Sequence, residues 1–206
     1  SGLLLAQCLH DAGLPPGVFN ALVGDGAHVG ETLMQHDGID GITFTGSHAV
    51  GMHILRAQAA RSYPRPCIAE MGGKNATIVT ARAHLDVAAQ GIVRSAFGMS
   101  GQKCSALSRV YVDRRVADAL IERLQTAVRQ LTVGNPQQEA TYTGPVATPA
   151  AQARHAECRA LLEHSDGARI VASGPLPPDA ARGFYCEPVI AEAPLNHPLW
   201  QREIFA

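Results

Sequence analysis

The chain has 206 residues, 46% hydrophobic and 17% charged, which is enough for one large domain or two small ones around a real core. Seventeen basic residues balance eighteen acidic ones, so nothing argues for a nucleic-acid partner, and no basic run longer than two residues argues for an anionic membrane surface. No apolar run approaches bilayer-spanning length.

Residues 3–12 fit a short helix stopped by Gly13 and the Pro15-Pro16 turn. Val18 to Val23 reads as a strand, Gly24-Asp25-Gly26 as a turn, and Val29 to His36 as a helix. Ile39 to Thr45 is a strand ending at Gly46, and Ser47 caps a helix carrying Val50, Ile54 and Leu55. A strand at 65–69 leads into Glu70, and 76–79 is another. The rhythm of the first third, strand, turn, helix, strand, implies a parallel α/β sheet. Leu85 to Ala96 is an Ala-rich helix with Asp86 in its first turn, where the dipole favours an acid. Val110-Tyr111-Val112 reads as a buried strand. Residues 114–131 form the best amphipathic helix, with Val116, Leu120, Leu124, Val128 and Leu131 on one stripe. A helix at 149–164, a Pro- and Ala-rich loop at 173–182 and a strand from Phe184 to Ile190 complete the pattern. The paired glycines after Glu70 suit a sharp backbone change and mark a domain seam, dividing the chain into 1–70 and 71–206.

Five cysteines, at 8, 67, 104, 158 and 186, form no CxxC pair and are odd in number. Reduced thiols in a cytoplasmic compartment fit this better than disulfides or zinc. The nine histidines show no metal spacing, so no metal site is expected. The chain starts at Ser1 and stops at Ala206, directly after Glu203-Ile204-Phe205, and both ends read as cuts through a larger protein.

The segment Gly101-Gln102-Lys103-Cys104-Ser105-Ala106 sets one cysteine among small and polar residues. An arbitrary cysteine is most often an inert small hydrophobe; these neighbours instead leave room around a sulfur in a polar setting. If Cys104 opens a turn or a helix, its own N–H can face a developing oxyanion, and Lys103 or a helix N-terminus favours the thiolate. Glu70, at a strand end beside Gly72-Gly73, is either a plain surface glutamate or a carboxylate free to swing toward water. A thiol nucleophile with a mobile base suits a reaction that builds and then hydrolyses a thioester. Phe44-Thr45-Gly46-Ser47 ends a strand and starts a helix; it is equally an ordinary turn or a cradle of free N–H groups for a pyrophosphate. Gly24 to Gly30 is one residue too long for the dinucleotide fingerprint. Lys74 and Asn75 read as caps of the strand that follows them.

Taken in order, these segments, with Gly134-Asn135-Pro136, Gly144-Pro145 and Glu203-Ile204-Phe205, resemble the aldehyde dehydrogenase superfamily along the whole chain. The fuller matches, Glu70 to Lys74, Ala96-Phe97-Gly98, Gly101 to Ala106, Ser108-Arg109 and Leu131 to Pro136, are most similar to the L-glutamate γ-semialdehyde (1-pyrroline-5-carboxylate) dehydrogenase branch. The resemblance implies the end of a Rossmann-type cofactor domain followed by an α/β catalytic domain. It implies NAD or NADP as cofactor, a small aldehyde as substrate and a homo-oligomer for the complete protein. Cys104 matches the nucleophile and Glu70 the base for the deacylating water. Gly26, Gly46, Ser47, Met71, Gly72, Glu203 and Phe205 match cofactor-facing positions, and Ser105 the residue that binds the substrate carboxylate. Two positions depart from the pattern: Arg202 stands where a second acid is usual, and Ala206 where a glycine is. A non-redox cysteine hydrolase or acyltransferase is the rival reading; it needs a fixed histidine partner, and neither key motif contains one. A third expectation is that the 206 residues by themselves are inert and poorly soluble.

Overall fold

The computed structural model describes residues 2–206, in two units, residues 2–71 and 72–206. In the first, helix α1 (Gly2–Asp11) buries no residue, and Leu3, Leu4 and Leu5 stand exposed. Gly13 ends it at φ +84°, a left-handed conformation that costs glycine nothing. Residues 18–23, expected as a strand, are not one: backbone without a regular element runs from Leu14 to Asp25. A strand needs a hydrogen-bonding neighbour, and among the described residues this segment has none. A single π-turn, Gly26–Gly30, runs into α2 (Glu31–Gln35), so the helical stretch begins ahead of the expected Val29.

Strands β1 (Ile42–Gly46) and β2 (Cys67–Met71) pair in parallel, joined through α3 (His48–Ala59). Ser47 caps α3, its Oγ accepting from Val50 N at 3.3 Å, which satisfies one of the helix's orphan donors. Close packing fixes two glycines here. A Cβ on Gly46 would enter the Phe44 ring, and one on Gly51 would meet the Met71 thioether. β2 lies two residues later than expected, so Glu70 sits inside the strand, opposite Thr45, and not beyond its end.

The second unit opens with β3 (Asn75–Val79), crosses through α4 (Leu85–Phe97) and returns as β4 (Leu107–Val112), parallel to β3. Helix α5 (Ala117–Arg129) follows a short 3-10 turn that takes in Val116. After it come α6 (Pro149–Glu163) and an antiparallel pair, β5 (Arg169–Ser173) and β6 (Val189–Glu192). The parallel rhythm therefore does not extend to the last pair. The sequence reading also missed β5, and started β6 too early. Pro188 carries no N–H for a ladder, and the carbonyl of Phe184 is taken by Val146 N at 2.9 Å. β4 is not buried throughout as expected: Leu107 lies in the core, but Tyr111 is exposed.

The core of this unit is α5 laid against α4, β3, β4 and β5. Leu120, Leu124 and Val128, four residues apart, put their side chains on one stripe, packed among Val79, Ile92, Val93, Leu107 and Ala172. No helix among the described residues is long and apolar enough to cross a membrane.

Leu120 is 1% exposed and Val87 65%. Leu120→Ala should therefore cost about 2–5 kcal/mol through lost burial and the cavity left behind, whereas Val87→Ala should stay within about 0.5 kcal/mol. Denaturant midpoints compare the two; equal effects would remove α5 from the core.

Candidate active site

Cys104 lies on an exposed turn between α4 and β4, closed by Ala106 N donating to Lys103 O at 3.0 Å. The turn runs into a strand, so no helix start faces the thiol. Ahead of it the backbone changes hand: Met99 (φ 54°), Ser100 (φ 55°) and Gly101 (φ 70°) are consecutive left-handed residues. Gly101 takes that conformation freely, but Met99 and Ser100 each cost about 1–2 kcal/mol.

Side chains hold this reversal from two directions. Ser100 N donates to Thr143 Oγ1 at 3.1 Å, and Ser100 Oγ donates to Gly144 O at 2.8 Å. Ala147 N donates to Gln102 Oε1 at 2.9 Å. On the other side, Asn75 Nδ2 donates to Cys104 O at 2.7 Å and to Ala106 O at 3.0 Å. Five bonds at about 1 kcal/mol each offset the two strained residues with little surplus, so the turn depends on them. The Cys104 N–H finds no protein acceptor among the described residues and remains free to donate. Asn75 does more than begin β3, and its bonds to the cysteine turn were not legible in sequence. Neither was the role of Thr143, which is buried at 4% exposure.

In the first unit, Glu70 is exposed and its carboxylate makes no hydrogen bond or ion pair among the described residues. Met71, expected to face a cofactor, packs its thioether on Gly51 of α3. Gly46 and Ser47 stand at the strand-to-helix step, where the first N–H groups of α3 are free of intrahelical partners. Gly26 begins the π-turn, and Asp25 Oδ1 accepts from His28 N beside it at 2.8 Å. Nothing lies within 4 Å of a Cβ built on Gly26, so packing does not require glycine there.

In the second unit, the Glu203 carboxylate rests on the Gly72-Gly73 segment and accepts from Gly73 N at 3.3 Å. A Cβ on Gly72 would overlap that carboxylate. Neither glycine has a positive φ; the observed requirement for glycine at 72 is room for Glu203, and the two units of the chain divide between Met71 and Gly72. Arg202 Nη2 lies 3.9 Å from Cys158 Sγ, and the carbonyl of Phe205 accepts from Arg154 Nη1 at 3.3 Å.

A cavity of about 320 Å³ lies within this unit, lined by Lys74, Arg109, Leu124, Ile190, Glu203 and Phe205 among others. Lys103 and Ala106 line it too, but Cys104 and Ser105 between them do not. Burial, and then the charge of Arg109, lower Lys74 to about 8. Burial also pushes the Cys186 thiol up and His155 down. No group of three His, Cys, Asp or Glu side chains among the described residues is placed to hold a metal.

With this geometry in place, comparison with known proteins is decisive at the level of family. Residues 1–206 match the family described as "Aldehyde dehydrogenase family". The chain belongs to that family. This aldehyde dehydrogenase-family chain is 40% identical over 205 residues to a 1-pyrroline-5-carboxylate dehydrogenase of Geobacillus thermodenitrificans (strain NG80-2), covering 97% of this chain and 39% of the relative. It is 44% identical over 151 residues to an NADP-dependent glyceraldehyde-3-phosphate dehydrogenase of Streptococcus equinus, covering 73% of this chain and 31% of the relative. A crystal structure of 1-pyrroline-5-carboxylate dehydrogenase from Thermus with bound NAD is similar at a TM-score of 0.89 and 33% identity, over 99% of this chain and 40% of that one. The chain thus spans well under half the length of the relatives it matches. The α/β, aldehyde dehydrogenase-like fold expected from the motifs is the fold observed.

Lys74 yields a pH prediction. Its folded value of about 8 lies below its ordinary 10.5. Between those values the unfolded chain holds the proton that the folded chain has released, so Lys74's contribution to stability rises with pH across that window. Lys74→Met should raise the thermal midpoint most below pH 8, with the gain over the parent shrinking toward pH 10.5. A gain that does not change with pH would contradict the buried-amine assignment.

Proposed function

We propose that this chain is part of an enzyme that oxidises an aldehyde to a carboxylic acid through a cysteine-bound thioester. The observation that carries the reading is Cys104: an exposed thiol on a turn braced by five side-chain hydrogen bonds, with its own N–H free. The thiolate adds to the aldehyde carbon, and the Cys104 N–H donates to the oxygen as charge develops on it. Bracing the turn matters because a nucleophile held in an attack geometry saves orientation entropy at the barrier.

The cofactor is a nicotinamide dinucleotide, NAD or NADP, and the chemistry it supplies when bound is acceptance of a hydride. The residues present fit such a group. Ser47 caps α3, and the first N–H groups of that helix suit an anionic diphosphate. Glu203 offers a carboxylate acceptor to a ribose hydroxyl, with Gly72 leaving it room. Gly26, Gly46, Met71 and Phe205 are the remaining positions assigned to this group.

Glu70 takes a proton from water as the water oxygen attacks the thioester carbon; the carbon–sulfur bond breaks and Cys104 leaves as thiolate. Its exposure and lack of hydrogen-bonding partners suit a carboxylate that must move between steps. The substrate read from the motifs and from the Geobacillus relative is L-glutamate γ-semialdehyde, with Ser105 toward its carboxylate. The 44% identity to an NADP-dependent glyceraldehyde-3-phosphate dehydrogenase favours a second reading, a different small aldehyde with NADP. We further propose a homo-oligomer in the cytoplasm, a compartment that suits five free cysteines.

In the full chain, Cys104→Ala should abolish aldehyde oxidation. Glu70→Gln should allow one stoichiometric burst of reduced nicotinamide and then stall. Rapid mixing with 340 nm absorbance, using a panel of aldehydes with each cofactor, reads both outcomes. Equal steady rates for Glu70→Gln and parent would remove the base assignment. Turnover of an ester without any nicotinamide, and no oxidation with it, would favour the hydrolase.

A further inference from the structure

We propose that Thr143 is a positioning residue for Cys104, acting through Ser100 on the left-handed backbone that presents the thiol. This rests on Cys104 as the reacting thiol. Thr143 lies outside every motif assigned to the chemistry, yet its hydroxyl is buried beside the one stretch among the described residues where non-glycine backbone takes a positive φ. It accepts from Ser100 N at 3.1 Å and lies 3.1 Å from Ser100 Oγ, whose own hydrogen goes to Gly144 O. Thr143 in turn is anchored from the main chain. Its N–H donates to Thr132 O at 3.2 Å, and its carbonyl accepts from Gly134 N at 3.1 Å. These bonds tie it to the stretch that leaves α5, where Leu131 and Val133 are buried. The hydroxyl therefore links the core around α5 to the turn.

Met99 and Ser100, the two non-glycine residues at positive φ among the described residues, are what this link sustains. Met99 is 70% exposed, so its side chain has no packing that could hold the backbone left-handed. Ser100 keeps its conformation through Thr143 and Gly144. Without the Thr143 hydroxyl, residues 99 and 100 fall back toward the ordinary right-handed or extended regions, and a backbone shift four residues before the sulfur moves it out of line. Glycine at 99 would remove that tendency, because it adopts positive φ without a Cβ clash.

The test uses three variants in the full chain: Thr143→Val, which keeps shape and loses the hydroxyl; Thr143→Ser, which keeps the hydroxyl; and Met99→Gly combined with Thr143→Val. Amide hydrogen exchange over 98–106 reads the turn without any chemistry. It should quicken several-fold in Thr143→Val and stay parental in Thr143→Ser. The kcat for aldehyde oxidation should fall about tenfold or more in Thr143→Val, the scale of effect expected from a small misplacement, with KM for the nicotinamide unchanged. It should recover in Thr143→Ser and in the Met99→Gly combination. A hydroxyl that served overall stability alone would lower the thermal midpoint without selectively quickening exchange over 98–106 and without moving kcat of the folded enzyme. Unchanged exchange in Thr143→Val overturns the proposal, as does a fall in kcat that neither rescue restores. Oxidation that survives Cys104→Ala, with exchange behaving as expected, overturns the nucleophile reading and leaves the Thr143 brace standing.

Discussion

A change of backbone hand governs how this molecule presents Cys104. Helix α4 ends at Phe97, and within four residues the chain passes through Met99, Ser100 and Gly101 in left-handed conformations before it presents Cys104. L-residues resist that conformation, so the cysteine turn persists only because other parts of the second unit hold it. Asn75 takes two carbonyls on one side, while Thr143, Gly144 and Ala147 engage Ser100 and Gln102 on the other. Strain kept in place by its surroundings is common at reactive sites, because it fixes one geometry at the expense of the relaxed alternatives.

The supports are themselves set by the core. α5 buries Leu120, Leu124 and Val128 against α4 and the strands, which fixes where α4 ends and where the stretch after α5 begins. Thr143 bonds to that stretch and Asn75 opens β3, so the braces on the cysteine turn come from elements the core positions. Space is allotted by the same packing: Gly72 leaves room for Glu203, and burial leaves Lys74 a weaker base than a surface lysine.

Much of this was legible in residue order. The α5 stripe, the Ser47 cap and the α4 helix follow from period, cap chemistry and glycine placement. Cys104 and Glu70 stood out because each lies in a small, polar or glycine-rich setting unlike a core. The errors have common causes. Residues 18–23 carry strand-like side chains but no pairing partner among the described residues, and a strand is a property of two segments, not one. β5 and the antiparallel β5–β6 pair were missed for the same reason. At Gly72 there is also a requirement for space that local order does not reveal, since the carboxylate that needs the room belongs to a residue far along the chain.

By itself the sequence determined the family, the α/β class, the amphipathic helices and the chemical identity of the candidate nucleophile and base, because these depend on residue type and local spacing. Only the tertiary structure decided which residues hold the Cys104 turn in place. Asn75 and Thr143 have no local signature, and their roles arise from bonds to residues 29 to 43 positions away. Local patterns record propensity; partners so distant in sequence are fixed only once the core has closed.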